Sequence, residues 1–291
     1  MHKVYDPKCD LFPYPVDTDK HYLKVTIKHN YIFDDKYPYI DKSFKFRFKC
    51  FLIRVVLRLI VFPYMRIRLG LRVKGKKYLR QYKKILKQGF LSCCNHVHMF
   101  DYLAEMYAMK PRKPHILSWK ENINGEFGNL ARLNGAIPIP EDDLKATKVY
   151  LKAIKDLLDH GGWLHINAEG SMWEYYQPIR PFKKGLATFS VKYNKPIVPM
   201  GFSYRKPGFI RAKIFKQIAK FTLTIGEPLF PDYDLPKEKQ IEDMVIRSHE
   251  AVCRCAGIDP QNNLYPPLFS EEVKRIDYYT DTYGTNYKGS H

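Results

Sequence analysis

Downstream of Gly89 the apolar residues follow two alternating patterns: short unbroken runs, and stretches where they recur at the three-to-four-residue spacing of a helix. The runs at 90–94, 115–119, 136–139, 163–167 and 196–202 are too short for stable helices and are bounded by turn residues, which predicts buried strands. Helices are predicted between them at 102–109, ahead of Gly135, at 142–160, at 184–193 and, after the last strand, at 241–252. The stretch 142–160 has the clearest period. Ala146, Tyr150, Ala153 and Leu157 repeat on one face, Lys145, Lys148, Lys152 and Lys155 avoid it, and Gly161 closes it. Alternating strands and helices predict an α/β domain with a central, mostly parallel sheet flanked by helices.

Upstream the pattern differs. FKFRFKCFLIRVVLRLIVFPY, residues 44–64, is apolar but broken by Arg47, Arg54 and Arg58, so no uncharged stretch of roughly 20 residues is available to span a bilayer. At helical spacing the three arginines share one face, and Leu52, Val55, Val56, Leu59 and Ile60 cover much of the rest. This predicts an N-terminal basic amphipathic helix lying in a membrane interface, ended by Pro63. A core helix with solvated arginines is the alternative. The chain therefore divides into an irregular lead-in (1–41), a basic membrane-association segment (42–87), an α/β domain (88–257) and a C-terminal extension (258–291).

Charge strengthens the membrane reading. The 49 Lys and Arg against 30 Asp and Glu leave a net charge of +19, so an anionic partner is expected. Residues 42–87 hold sixteen Lys and Arg and no Asp or Glu, interleaved with apolar residues that a solvated tail would lack. No nucleic-acid reading element is found, so anionic lipid is preferred over RNA or DNA. The start, MHKVYDPKCDLFPYP, has no apolar signal core, and six cysteines in a chain of this length read as reduced thiols. The expected location is the cytoplasmic face of the cell membrane, bound peripherally.

Candidate chemistry concentrates in LSCCNHVHMFDYLAE, residues 91–105. Zinc ligation by Cys93, Cys94, His96 and His98 is disfavoured, because adjacent strand residues point to opposite faces and no second ligand pair follows. A cysteine nucleophile is possible, although cysteines inside an apolar strand are usually packing residues. His96 with Asp101 is the remaining arrangement. A carboxylate bonded to one ring nitrogen would leave the other free to accept a proton, yet Asp101 could equally cap a helix and His96 be a buried, satisfied histidine.

Four blocks appear in order: NHVHMFD at 95–101, GAIPI at 135–139, NAEGS at 167–171 and KPIVPM at 195–200. They resemble the motif blocks of the glycerolipid acyltransferase superfamily, most closely the bacterial 1-acylglycerol-3-phosphate acyltransferases, over residues 66–229. The resemblance implies that His96 and Asp101 are catalytic and deprotonate an acceptor hydroxyl, which attacks an acyl thioester without an acyl-enzyme. Cys93 and Cys94 then become strand packing, and Pro196 and Pro199 shape a pocket wall. It further implies substrate-binding roles for Gly135, Glu169, Gly170 and Ser171, with acyl-CoA or acyl-carrier protein as donor, a lysophospholipid as acceptor, and neither a metal nor a cofactor. Glu169 reads equally as a turn brace.

Two departures bear on the acceptor. The second block places Glu141, and the third Met172, where the family usually has a phosphate-binding arginine. Lys120, Arg180, Lys183 and Lys184 are the candidates to replace them. The expected reaction is acyl transfer to 1-acylglycerol-3-phosphate, giving phosphatidic acid. The alternatives are a different lysolipid or glycolipid acceptor, or an inactive membrane-binding module.

Overall fold

The structure, a computed structural model, describes residues 25–263 apart from 174, 177, 215, 216 and 218. Residues 1–24 of the expected lead-in and 264–291 of the expected extension lie outside the described residues. Seven strands form one sheet: β1 (Arg72–Lys74), β2 (Phe90–Cys93), β3 (Ile116–Ser118), β4 (Ala136–Pro138), β5 (Trp163–His165), β6 (Ile197–Arg205) and β7 (Lys220–Ile225). Their order is β1-β7-β6-β2-β5-β3-β4. Pairing is parallel from β6 to β4, antiparallel between β6 and β7, and parallel again between β7 and β1.

Strand pleating divides the core in two. Phe90, Trp163, Val198 and Met200 point to one face, where they pack with the helices Phe62–Leu69 and Asp101–Ala108. Leu91, Leu164 and Ile197 point to the other, beneath the helices Leu144–Asp159, Gly185–Tyr193 and Lys237–Ala256. The result is a helix–sheet–helix sandwich. Lys237–Ala256 lies so close to β6 that a Cβ on Gly201 would fall 2.6 Å from the Ala256 nitrogen, which reserves that position for glycine.

The pattern did not reveal β1 and β7, and β1 falls inside the basic stretch read as membrane-associating. Nor does Pro63 end the N-terminal helix. Phe44–Val56, capped by the Ser43 hydroxyl, runs into a π-helical turn at Leu57–Val61. The Phe62 N–H there donates to Leu57 O, and Phe62–Leu69 follows, with Pro63 in its first turn, where a missing N–H is tolerated. Gly70, at φ +56°, stops it.

The arginine row is also corrected. Arg47 and Arg54 face the domain and line a cavity of about 910 Å³ with Arg112, Arg132 and Trp163. Arg58, inside the wider π turn, leaves that row and lies within electrostatic range of Lys110. The outward face is apolar, with Phe44, Phe48, Phe51, Leu59, Ile60 and Ile67 exposed.

Candidate active site

The strand β2 ends at Cys93, and the chain turns across the edge of the sheet before the helix Asp101–Ala108 begins. Asn95 fixes this turn to β6: its Nδ2 donates to Phe202 O at 3.2 Å, and its Oδ1 accepts from Phe202 N at 2.7 Å. The Trp173 and Tyr175 N–H groups donate to the carbonyls of His96 and Val97 at 2.9 and 2.8 Å. His96 is thereby held at the end of a parallel strand, where open α/β sheets place their ligands.

His96 Nδ1 lies 2.6 Å from Asp101 Oδ2. The Asp101 side chain is 3% exposed and that of His96 22%, so the carboxylate is sheltered while the ring reaches solvent. Asp101 Oδ2 also accepts from Val97 N at 3.2 Å, and its Oδ1 from Tyr102 N at 2.6 Å. Burial pushes the Asp101 carboxyl up, but the charge and hydrogen bond of His96, helped by His98 and His165, outweigh it and hold the group below its ordinary value. An ionised Asp101 accepts from Nδ1–H, which fixes the tautomer and leaves Nε2 as the basic atom.

The cysteines are excluded as nucleophiles. Cys93 and Cys94 are fully buried, and burial pushes both thiols well above their ordinary value. His98, second in the cluster, is buried too, and its pKa is lowered to about 4 by burial, so it is neutral packing against Tyr175 and Phe221.

The third block braces the dyad. Glu169 Oε2 accepts from the His96 backbone N at 3.1 Å, Oε1 from Arg180 N at 3.0 Å, and Oε2 also from Arg180 Nη2 at 2.9 Å. Arg180 is 1% exposed, bonds the Ser171 hydroxyl at 2.8 Å through Nη1, and stacks on Trp173. Arg180 is therefore neither a surface charge nor a free phosphate ligand. Glu169 and Ser171 are consumed in the same contacts, and the Gly170 N–H, expected to face substrate, donates to Asn167 O at 3.0 Å. Gly170 adopts φ +89°, which closes this turn.

The remaining candidates divide. Lys183 is exposed and its side chain packs against Gly170, the residue after Glu169. Lys184 is exposed and within electrostatic range of Glu242. Lys120 follows β3 and pairs with Glu141, which follows β4, so both stand at the strand ends that carry His96. Gly135 does not join them. It precedes β4 and lines the 910 Å³ cavity at the opposite edge of the sheet. Pro199 lies in β6 within the core pairing and Pro196 immediately before it, so neither is placed as a pocket wall.

Behind the dyad lies a buried network that the sequence reading missed. Trp163 Nε1 donates to Ser92 Oγ at 2.7 Å, Ser92 Oγ meets His165 Nδ1 at 2.9 Å, and His165 Nε2 meets Asn167 Oδ1 at 2.8 Å. Glu105, one turn after Asp101, brings Oε2 within 3.1 Å of His165 Nε2. Burial, then the Asp101 charge, pushes Glu105 well up, so it holds its proton. The only sequence signal was a lone Glu on the apolar face of a helix.

Residues 70–203 match the family model described as "Acyltransferase". This stretch is similar to an acyltransferase domain. It contains the dyad, its brace and the buried network, and stops before the end of β6. No curated protein matches the chain. Among solved structures, the 1-acyl-sn-glycerophosphate (LPA) acyltransferase PlsC from Thermotoga maritima is similar, at 16% identity and a TM-score of 0.36, covering 71% of this chain and 94% of that one. Within the matched stretch, His96 combines an ionised partner with solvent access.

Proposed function

We propose that the protein transfers a fatty acyl chain from the thioester of acyl-CoA or acyl-carrier protein to the hydroxyl of a lysophospholipid, with 1-acylglycerol-3-phosphate as acceptor and phosphatidic acid as product. The observation that carries this reading is the 2.6 Å contact between His96 and a buried Asp101 inside the stretch that matches the acyltransferase family model. His96 Nε2 takes the hydroxyl proton as the oxygen attacks the thioester carbonyl. The tetrahedral oxyanion collapses, the C–S bond breaks, and the imidazolium returns the proton to the departing thiolate. General-base assistance of this kind is worth about 100- to 10,000-fold in rate.

The acceptor is a lipid, and the apolar outer face of residues 44–69 supports a peripheral position on the cytoplasmic face of the cell membrane, against anionic lipid. Among the described residues no helix is long and apolar enough to cross a membrane. The basic tract that adjoins this face adds roughly 1 kcal/mol of attraction per cation near an anionic surface.

A second reading, an acceptor without a phosphomonoester, is favoured by one observation. Glu141 sits on Lys120, and Arg180 is committed to Glu169, so two of the four candidate cations are held by carboxylates of the chain itself instead of being presented to a phosphate. The test is acyl transfer by the purified protein to a panel of lysolipids, with both donor classes. Lysophosphatidic acid as preferred acceptor supports the first reading. A preference for a neutral or zwitterionic lysolipid, or for a glycolipid, selects the second, and no transfer to any acceptor ends both.

A further inference from the structure

The turn between β6 and β7 carries Phe209, Ile210 and Ile214, which are 71%, 63% and 68% exposed. Large apolar side chains in a tip this open have no packing function. The turn's described residues are nonetheless well held. Within it Phe209–Lys213 is helical, Arg211 bonds the carbonyl of Ile67, and Gln217 N donates to Arg211 O at 3.0 Å. Arg205, at the root of the turn, bonds the carbonyl of Gly70 and that of Phe221, the latter at 2.9 Å. Two arginines thus fasten the turn to the C-terminal end of Phe62–Leu69, whose own Tyr64 and Ile67 are exposed.

Both elements belong to the catalytic edge. β6 runs parallel to β2, so its end at Arg205 lies on the side of the sheet where β2 delivers His96. Arg68 is within electrostatic range of His98, and Phe221 meets the His98 ring edge-on. Met99 and Phe100, between the two dyad residues, are exposed as well.

Charge selects the occupant. Residues 57–70 and 206–214 contain no Asp or Glu, and the apolar tips are flanked by Arg66, Arg68, Lys206, Arg211 and Lys213. Apolar tips in an all-basic collar match an anionic bilayer surface, where the tips enter the acyl region and the cations stay at the headgroups. We propose that residues 206–214 are a second membrane-inserting element, fixed to the first through Arg211, so that two apolar tips enter the leaflet beside the dyad. This rests on the reading that the acceptor is a lipid.

A tryptophan at position 209 reports the insertion. In the Phe209→Trp protein, vesicles of phosphatidylcholine with phosphatidylglycerol should blue-shift the added emission, and acyl-chain-brominated lipid should quench it. A tryptophan in place of Lys148, on the solvent face of Leu144–Asp159, should do neither. Serine at Phe209 and Ile210 together should weaken vesicle binding by at least about tenfold, while leaving transfer to a detergent-dispersed acceptor unchanged. Vesicles that bind the Phe209→Trp protein without moving or quenching the added emission would overturn the proposal. So would an emission already shielded in a dimer without lipid, which would assign the turn to a second copy of the chain. Quenching with no transfer to any lysolipid would leave the inserting element standing and remove the acyl-acceptor reading alone.

Discussion

At position 101 a carboxylate is useful only if it stays ionised while buried, and the hydrogen bond from His96 with two backbone N–H groups on Oδ2 and Oδ1 secures that. His96→Ala should reduce turnover by at least about 100-fold with folding intact, measured by initial rates and circular dichroism. Asp101→Asn should lose activity heavily too, because an amide can select the wrong tautomer. Cys93→Ser should keep its rate constant if it folds. Arg180 makes a different demand. Its guanidinium and the Glu169 carboxylate are buried together, so Arg180→Gln strands a charge and should cost about 3 to 5 kcal/mol in denaturant unfolding. A loss below about 1 kcal/mol would show that this pair is not the brace described. In the sequence Arg180 reads as a solvated cation, because a single chain displays a charge but never its tertiary partner.

The elements legible beforehand were those whose period had room to repeat. Leu144–Asp159 gives several turns of apolar positions, and β2 is an unbroken apolar run. β1 has three residues, two of them basic, and is a strand only because β7 lies beside it. The π turn at Leu57–Val61 has no compositional mark, yet it decides where Arg58 points and lets the helix continue past Pro63. The placement of Arg47 and Arg54 reverses the expectation for lipid binding. With Arg47 and Arg54 turned toward the domain, replacing them with Gln should change vesicle affinity little, whereas serine at Leu59 and Ile60 should weaken it clearly. Those two side chains are exposed, so the same substitution should shift stability by no more than about 0.5 kcal/mol, as thermal unfolding can check.

Across the whole molecule, buried imidazoles set a limit on acid tolerance. His98 and His165 are both lowered to about 4 by burial, against an unfolded value near 6.5. Between those values the unfolded chain binds more protons than the folded one, so stability present above about pH 6.5 is lost progressively as pH falls toward 4. The unfolding free energy should drop by a few kcal/mol over that window, and less in a His98→Gln variant. The pairing of β1 with β7 reaches further, into how the chain is made. Arg72 pairs with Thr222, 150 residues later, so the outer edge of the sheet cannot close until most of the chain exists. At roughly 5 to 20 residues per second, residues 44–69 leave the ribosome on the order of 10 to 30 s before the partner of β1 is available. During that interval the apolar helix is already amphipathic and already unsheltered. Under the membrane position proposed above, such a chain would meet the bilayer first and complete its sheet there, which would make delivery to the membrane a step in its folding.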